Sequence, residues 1–335
     1  MISILLLTIS YMLLVLINPS VTSNSVIETI MFCLFKLIPS IFPMMVLCSM
    51  VAKSVITKAQ KNKRYFLGIN ACFLPTLLSS WLCGFIIGPL TMEENNSKEN
   101  LTPYVLLTSN AGIGFVVMYV GYVLNGSALF GILLYVIQLI TSYFLFKGSK
   151  NIPLININYT KSSFTDNLIA SINKSTHSVL EMCGFTVFFS VIRCLTASLF
   201  SIEELSITNC ILASLLDICS GTQYASQLYN SIFSSFMTGF SVGFGGLCIC
   251  FQTFSVIRKN IINKCIFIFK KIIQGILCGL FSSVFVYVSG VSIQNKTNNV
   301  LNQMIVAFSI AILVIFICCA IYFIKKLLKR KLILE

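Results

Sequence analysis

Charge is what this sequence has least of. Only 10% of its 335 residues are charged, where a soluble domain carries roughly 25%. A soluble fold is thereby excluded, because too little polar surface is available to cover it. The chain holds one histidine and ten acidic residues, so metal centres and acid–base pairs have few members to draw on. No G-x-S-x-G, H-E-x-x-H or P-loop pattern occurs, and neither an enzymatic activity nor a cofactor is expected. The acidic residues Glu93, Glu94 and Glu99 read as a solvated turn. Cys248 and Cys250, and the pair Cys318 and Cys319, have no histidine or carboxylate companions, which excludes a metal reading. Most of the 14 cysteines lie in apolar runs, where a free thiol behaves as a small hydrophobe. No disulfide framework is visible.

What is present in quantity is hydrocarbon. The chain is 57% hydrophobic, with a mean hydropathy of +0.92. Apolar segments fall at 2–17, 28–52, 65–90, 101–124, 127–146, 177–200, 207–230, 235–257, 265–290 and 303–324. Most are long enough to span a bilayer. The first has no basic region before it and no A-x-A site after it, so it reads as a transmembrane helix and not as a signal peptide. The net charge of +13 is concentrated in short clusters between apolar runs. That placement suits loops facing anionic lipid and argues against nucleic acid as a partner.

The clusters also constrain topology. They lie at Lys53–Arg64, Lys147–Lys174, Arg258–Lys271 and Lys325–Lys331. The positive-inside rule puts all four, and both termini, in the cytoplasm of a multi-pass cell-membrane protein. Three apolar segments separate the first cluster from the second, and three separate the second from the third. An odd number of crossings would put alternate clusters outside. Parity returns if 65–90 and 207–230 each enter and leave on one side as re-entrant hairpins. Pro75 and Gly84 supply breaks in the first, and Ser220-Gly221 in the second.

The expected fold class is therefore all-α, a polytopic membrane protein with two inverted repeats. The first repeat is 28–124 and the second 177–257. Segment 127–146 connects them, and 265–324 forms C-terminal helices. Broken helices in inverted repeats are a recurrent transporter architecture with the site near the midplane. Trp81–Phe85 corresponds to Asp217–Gly221, and Ser109–Gly114 to Thr238–Gly243. The glycines of Thr238–Gln252 admit two readings, namely close approach of a hairpin or solute, or small-xxx-small helix packing at Gly239 and Gly243.

Several motifs resemble those of one family. Pro39-Ser-Ile-Phe-Pro43, Cys83-Gly-Phe-Ile-Ile-Gly88, Ser109-Asn110, Cys183–Ser190, Leu216-Asp-Ile-Cys-Ser-Gly221 and Gly245–Gln252 are similar, in order and spacing, to motifs of YlbJ-type sporulation integral membrane proteins. These belong to the nucleoside-recognition (Gate) group. The sequence departs from them at Ile86, Asp217, Cys248 and Cys250, which stand where the family has proline, glutamate, serine and histidine. The resemblance implies a sporulation-linked permease for a small anionic solute, dipicolinate. The group's name leaves open a nucleoside or another solute, and a non-transporting structural protein is the third reading. A homo-oligomer or other sporulation membrane proteins are the partner expectations, beside the solute and the lipid bilayer.

Ionisable groups within spans are functional candidates by default. Arg193 lies deep in its segment and Asp217 in the second hairpin. Arg193 is read either as an anion contact or as the ion-pair partner of Asp217. Asn110 and Gln252 can line a polar cavity, and Gly84, Gly221, Gly245 and Gly246 can admit close backbone approach. Lys36, His177 and Glu181 read as solvated helix ends.

Overall fold

The computed structural model describes residues 2–39, 42–43, 45–47, 49–50, 65–66, 69–70, 73–85, 88–89, 101–147, 163–257 and 262–289. Apart from a two-residue antiparallel pair, Tyr65–Phe66 with Ile69–Asn70, the regular structure is helical. Eleven α-helices are used below: α1 (Ile2–Ile17), α2 (Pro19–Phe32), α3 (Leu74–Cys83), α4 (Thr102–Thr108), α5 (Ala128–Lys147), α6 (Phe164–Leu199), α7 (Ile207–Leu216), α8 (Ile218–Ser226), α9 (Ser231–Phe244), α10 (Gly246–Val256) and α11 (Lys264–Ser289). Two stretches wind as π-helix, Cys33–Leu37 at the end of α2 and Gly114–Leu124 before α5.

Among the described residues, four helices are long and apolar enough to cross a membrane: Ala128–Phe146, Phe164–Leu199, Ser231–Val256 and Lys264–Val288. A fifth span results if Ile9–Ile17 and Pro19–Leu37 count as one, although the chain bends there by 93°. Pro19 sits at the start of α2, where its missing N–H costs nothing and its fixed φ favours a new helix. The apolar segment expected from residue 28 therefore starts at 19. Helix α6, at 36 residues, is about 54 Å long. It extends well beyond the expected 177–200 through a polar first third that a hydrocarbon layer of about 30 Å does not need to hold. Ser163 caps it by accepting the Asp166 N–H. Segment 303–324 lies outside the described residues.

The exterior is apolar as well as the core, unlike that of a soluble protein, and many small polar residues are enclosed. Leu16, Ile17, Phe188, Phe269, Phe281, Tyr287 and Val288 face outward, while Thr108, Asn110, Ser142, Ser214, Ser241 and Gln274 are fully enclosed. Lipid removes the drive to bury leucine, so small and polar side chains form the helix contacts. The tightest of these joins α9 to α11. Gly239 and Gly243 lie on the backbone of Cys278 and Gln274, and Gly275 and Gly279 lie on Phe240 and Phe236. A methyl at Gly243 would come within 2.9 Å of the Gln274 carbonyl oxygen. For these two glycines the packing reading holds.

The expected breaks are present but shifted. Pro75 starts α3 instead of interrupting it, and the helix ends at Gly84, whose φ is +107°. Segment 101–124, expected as one helix, is interrupted at 109–112 between α4 and the π-helical stretch. In segment 207–230 the break falls at Asp217, which is fully extended (φ −147°, ψ 138°) between α7 and α8. Ser220 and Gly221 are inside α8. The two short helices then fold back on each other, since a methyl on Gly221 would lie 2.7 Å from the Ser214 Cα. Finally, Gly245 separates α9 from α10, whose first residue is Gly246, and the two have φ of +82° and +75°. Two consecutive left-handed residues are cheap only for glycine.

Candidate functional site: a cavity between two broken helices

Asp217 defines the site. Its extended backbone ends α7, and its side chain starts α8. Oδ2 accepts the Cys219 N–H at 3.1 Å, the Ser220 N–H at 3.0 Å and the Ser220 hydroxyl at 3.3 Å. This satisfies the first donors of the helix, as an N-cap should. The second oxygen, Oδ1, has no hydrogen-bond partner among the described residues, and the residue is only 2% exposed. The Cys248 thiol lies beside the carboxylate, but a thiol is a weak donor.

The Asp217 break is held by the other one. A methyl on Gly246 would sit 2.8 Å from the Asp217 nitrogen and from the Leu216 carbonyl. Backbone therefore packs on backbone, and only glycine fits. One turn and a half further along α10, Gln252 donates from Nε2 to the Cys248 sulfur at 3.1 Å and points toward the Met182 carbonyl at 3.5 Å. The Met182 carbonyl can only accept, which assigns Nε2 to its side and Oε1 to the other. Oε1 has no partner among the described residues, and Gln252 too is 2% exposed. Leaving a buried acceptor unmade costs about 1–3 kcal/mol, so two in one place call for a reason.

They border the same space. A cavity of about 40 Å³ is lined by Asp217 and Gln252, by Thr186 of α6, and by Gly84, Phe85 and Gly112 from the first half of the chain. Here the first break closes against the second. A methyl on Gly84 would come within 3.1 Å of the Gly112 nitrogen. The cavity thus lies where the end of α3, the 109–112 interruption, the α7–α8 turn and the start of α10 converge.

Behind the first break stands a polar chain with no member in the cavity. Lys271 is fully enclosed, about 10 Å along α11 from its start. Its Nζ donates to the Ser109 carbonyl at 2.8 Å and to Gln274 Oε1 at 2.9 Å, and lies 5.5 Å from the Phe85 ring centre. Gln274 Nε2 donates to Asn110 Oδ1 at 2.9 Å. Asn110 Nδ2 donates to the Leu107 carbonyl and to the Ser142 hydroxyl. The ammonium meets the carbonyl end of α4, the end that attracts cations.

Of the residues singled out from sequence, Asp217, Gln252 and Gly84 line the cavity. Gly246 and Asn110 build its walls from behind, and Gly245 supplies the turn. Gly221 packs α8 on α7 and on Ser241 of α9. Arg193 is elsewhere. Its guanidinium donates to the Tyr224 hydroxyl at 3.0 Å and covers that ring at 4.8 Å, so it is not the ion-pair partner of Asp217. Lys36 is exposed, 5.8 Å from the Tyr119 ring, and His177 approaches Glu181 at 3.9 Å. Lys271 was read as part of a cytoplasmic basic cluster. The available signal was its position inside an apolar run. Thr186, Met182 and Gln274 carried no sequence signal beyond an apolar neighbourhood.

An apolar exterior and several spanning-length helices make this a multi-pass helical membrane protein. Comparison with protein-family models, with curated proteins and with solved structures finds no match to this chain.

Proposed function

We propose that this protein is a membrane permease that moves a small polar solute by alternating access around the cavity at Asp217 and Gln252. One observation carries the reading. Four interruptions of regular helix converge on one cavity, and two buried residues lining it carry oxygens without partners among the described residues. Irregular backbone within a membrane is tolerated where protein or a wet cavity covers it. We read α3 and α7–α8 as belonging to re-entrant hairpins of two inverted repeats. In support, each half places a helix break against a glycine of the other segment in that half, Gly84 against Gly112 and Asp217 against Gly246. The present cavity has room for about three water-sized particles, so a solute needs the hairpins to part.

The favoured solute is dipicolinate, moved during sporulation, on the motif resemblance to the YlbJ-type family. The cavity lining holds a carboxylate and no lysine or arginine among the described residues, so an anion has to be accompanied by positive charge. A second reading is supported by the same oxygens. A nucleoside, rich in hydroxyl and amine donors, suits two open acceptors directly. Uptake of radiolabelled dipicolinate and of radiolabelled uridine into proteoliposomes separates them. We expect dipicolinate flux at least tenfold above protein-free vesicles. Flux of uridine alone selects the second reading, and flux of neither leaves a structural membrane protein.

A further inference from the structure

We propose that Asp217 and Gln252 form a binding site for one sodium-sized cation. The proposal rests on reading the cavity as a ligand site and deepens it by naming what the cavity holds in the closed state. Two buried side chains from different elements, one at the α7–α8 turn and one on α10, line the same cavity and carry oxygens without partners among the described residues. Oδ2 of Asp217 is already saturated by three donors, so the free capacity is on Oδ1. The Gln252 amide is oriented by its contacts to Cys248 and Met182, so its free capacity is on Oε1. Both open atoms are acceptors, and an occupant must offer positive charge or donors.

Size and ligand type narrow the occupant. The space of about 40 Å³ admits an ion with one or two waters and excludes an organic ammonium of any length. A carboxylate oxygen, an amide oxygen and the nearby Thr186 hydroxyl are hard ligands, which favour hard cations. Among the described residues no three His, Cys, Asp or Glu side chains cluster to hold a transition metal. One carboxylate matches one positive charge, so a monovalent ion leaves the site neutral. A proton on Asp217 with water at Gln252 Oε1 is the competing occupancy, and it binds no sodium. An ion with water satisfies both oxygens. Interrupted helices are where transporters coordinate sodium.

The test is binding of radioactive sodium to the purified full-length protein in detergent, with choline chloride holding ionic strength. We expect saturable binding displaced by unlabelled sodium chloride. Asp217→Asn keeps a helix cap and should abolish binding. Gln252→Leu should weaken it at least tenfold. Asp166→Asn, an exposed residue in the first turn of α6, should leave it unchanged. If Asp217→Asn fails to fold, the wild type and Gln252→Leu decide. Absence of saturable binding to wild type overturns the proposal, as does binding untouched by either cavity variant. Proton uptake on acidification without sodium binding overturns it in favour of a proton site. Because no flux is measured, the cation site can fail while the permease stands, and the reverse.

Discussion

The two helix interruptions, at 109–112 and at 245–246, solve one physical problem in opposite ways. Each exposes backbone inside an apolar environment. At the first, the freed carbonyl of Ser109 is taken by the Lys271 ammonium, which is tied through Gln274 to Asn110 and Ser142. At the second, two left-handed glycines let the backbone of Leu216 and Asp217 approach, and the polar oxygens of Asp217 and Gln252 stay open. At the first break the freed backbone carbonyl is met by protein groups, with the Ser109 hydroxyl left without a partner among the described residues. The other is left for something else to complete. The lesson is that a break in a helix does not by itself assign a role; the chemistry of the polar groups left unmade beside it does.

This contrast is breakable by substitution. The largest effect is expected at the fastened break. Lys271→Ala removes the cation from a buried network and strands Gln274 and the Ser109 carbonyl. We expect a loss of about 3 kcal/mol, seen as a collapse of folded yield and a lower melting temperature in detergent. A wild-type melting temperature would mean that the first break is not held by this chain. Gly246→Ala comes next, because a methyl meets backbone at 2.8 Å and φ of +75° is disfavoured by about 1–2 kcal/mol. It should lower stability and also weaken sodium binding, since it pushes Asp217 out of place. Gly239→Ala, which presses on α11 instead, should lower melting temperature while leaving sodium affinity per folded molecule unchanged. Equal effects of the two glycine variants on binding would erase the distinction between turn and packing glycines.

At the open break, Asp217→Asn should alter stability by no more than about 0.5 kcal/mol, because asparagine and aspartate cap comparably. Its loss of binding then contrasts with the stability loss of Lys271→Ala. The smallest effect concerns Arg193. Arg193→Gln forfeits the Tyr224 contact, worth about 1 kcal/mol. Combined with Asp217→Asn it should show no coupling beyond about 0.5 kcal/mol in a double-mutant cycle of melting free energies. A large rescue in the double variant would restore the ion pair that the geometry separates.

Much of the fold was legible without coordinates, because lipid imposes simple demands. Apolar run length marked α5 and α11 to within a residue or two of their ends. Proline and glycine marked α3 and its end at Gly84. The Asp217 region read as a break, although the break fell on Asp217 instead of Ser220-Gly221. Aspartate in an extended backbone followed by two donors forms a cap, a local geometry that a search for glycine overlooks. The interruption at 109–112 was missed in a segment whose apolar content alone fits an unbroken helix.

The sequence by itself determined that this chain belongs in a membrane, that its helices carry breaks, and which of its few polar residues were worth watching. Hydropathy and backbone propensity are local, so they can be read one segment at a time. The tertiary structure alone decided which polar groups meet. Lys271 left the basic loop cluster for the end of α4, Arg193 went to Tyr224, and Asp217 and Gln252 came to share a cavity. These pairings join positions 31 to 162 residues apart, from Arg193 with Tyr224 up to Lys271 with Ser109. They are set by how glycine faces let helices approach, which no single segment encodes.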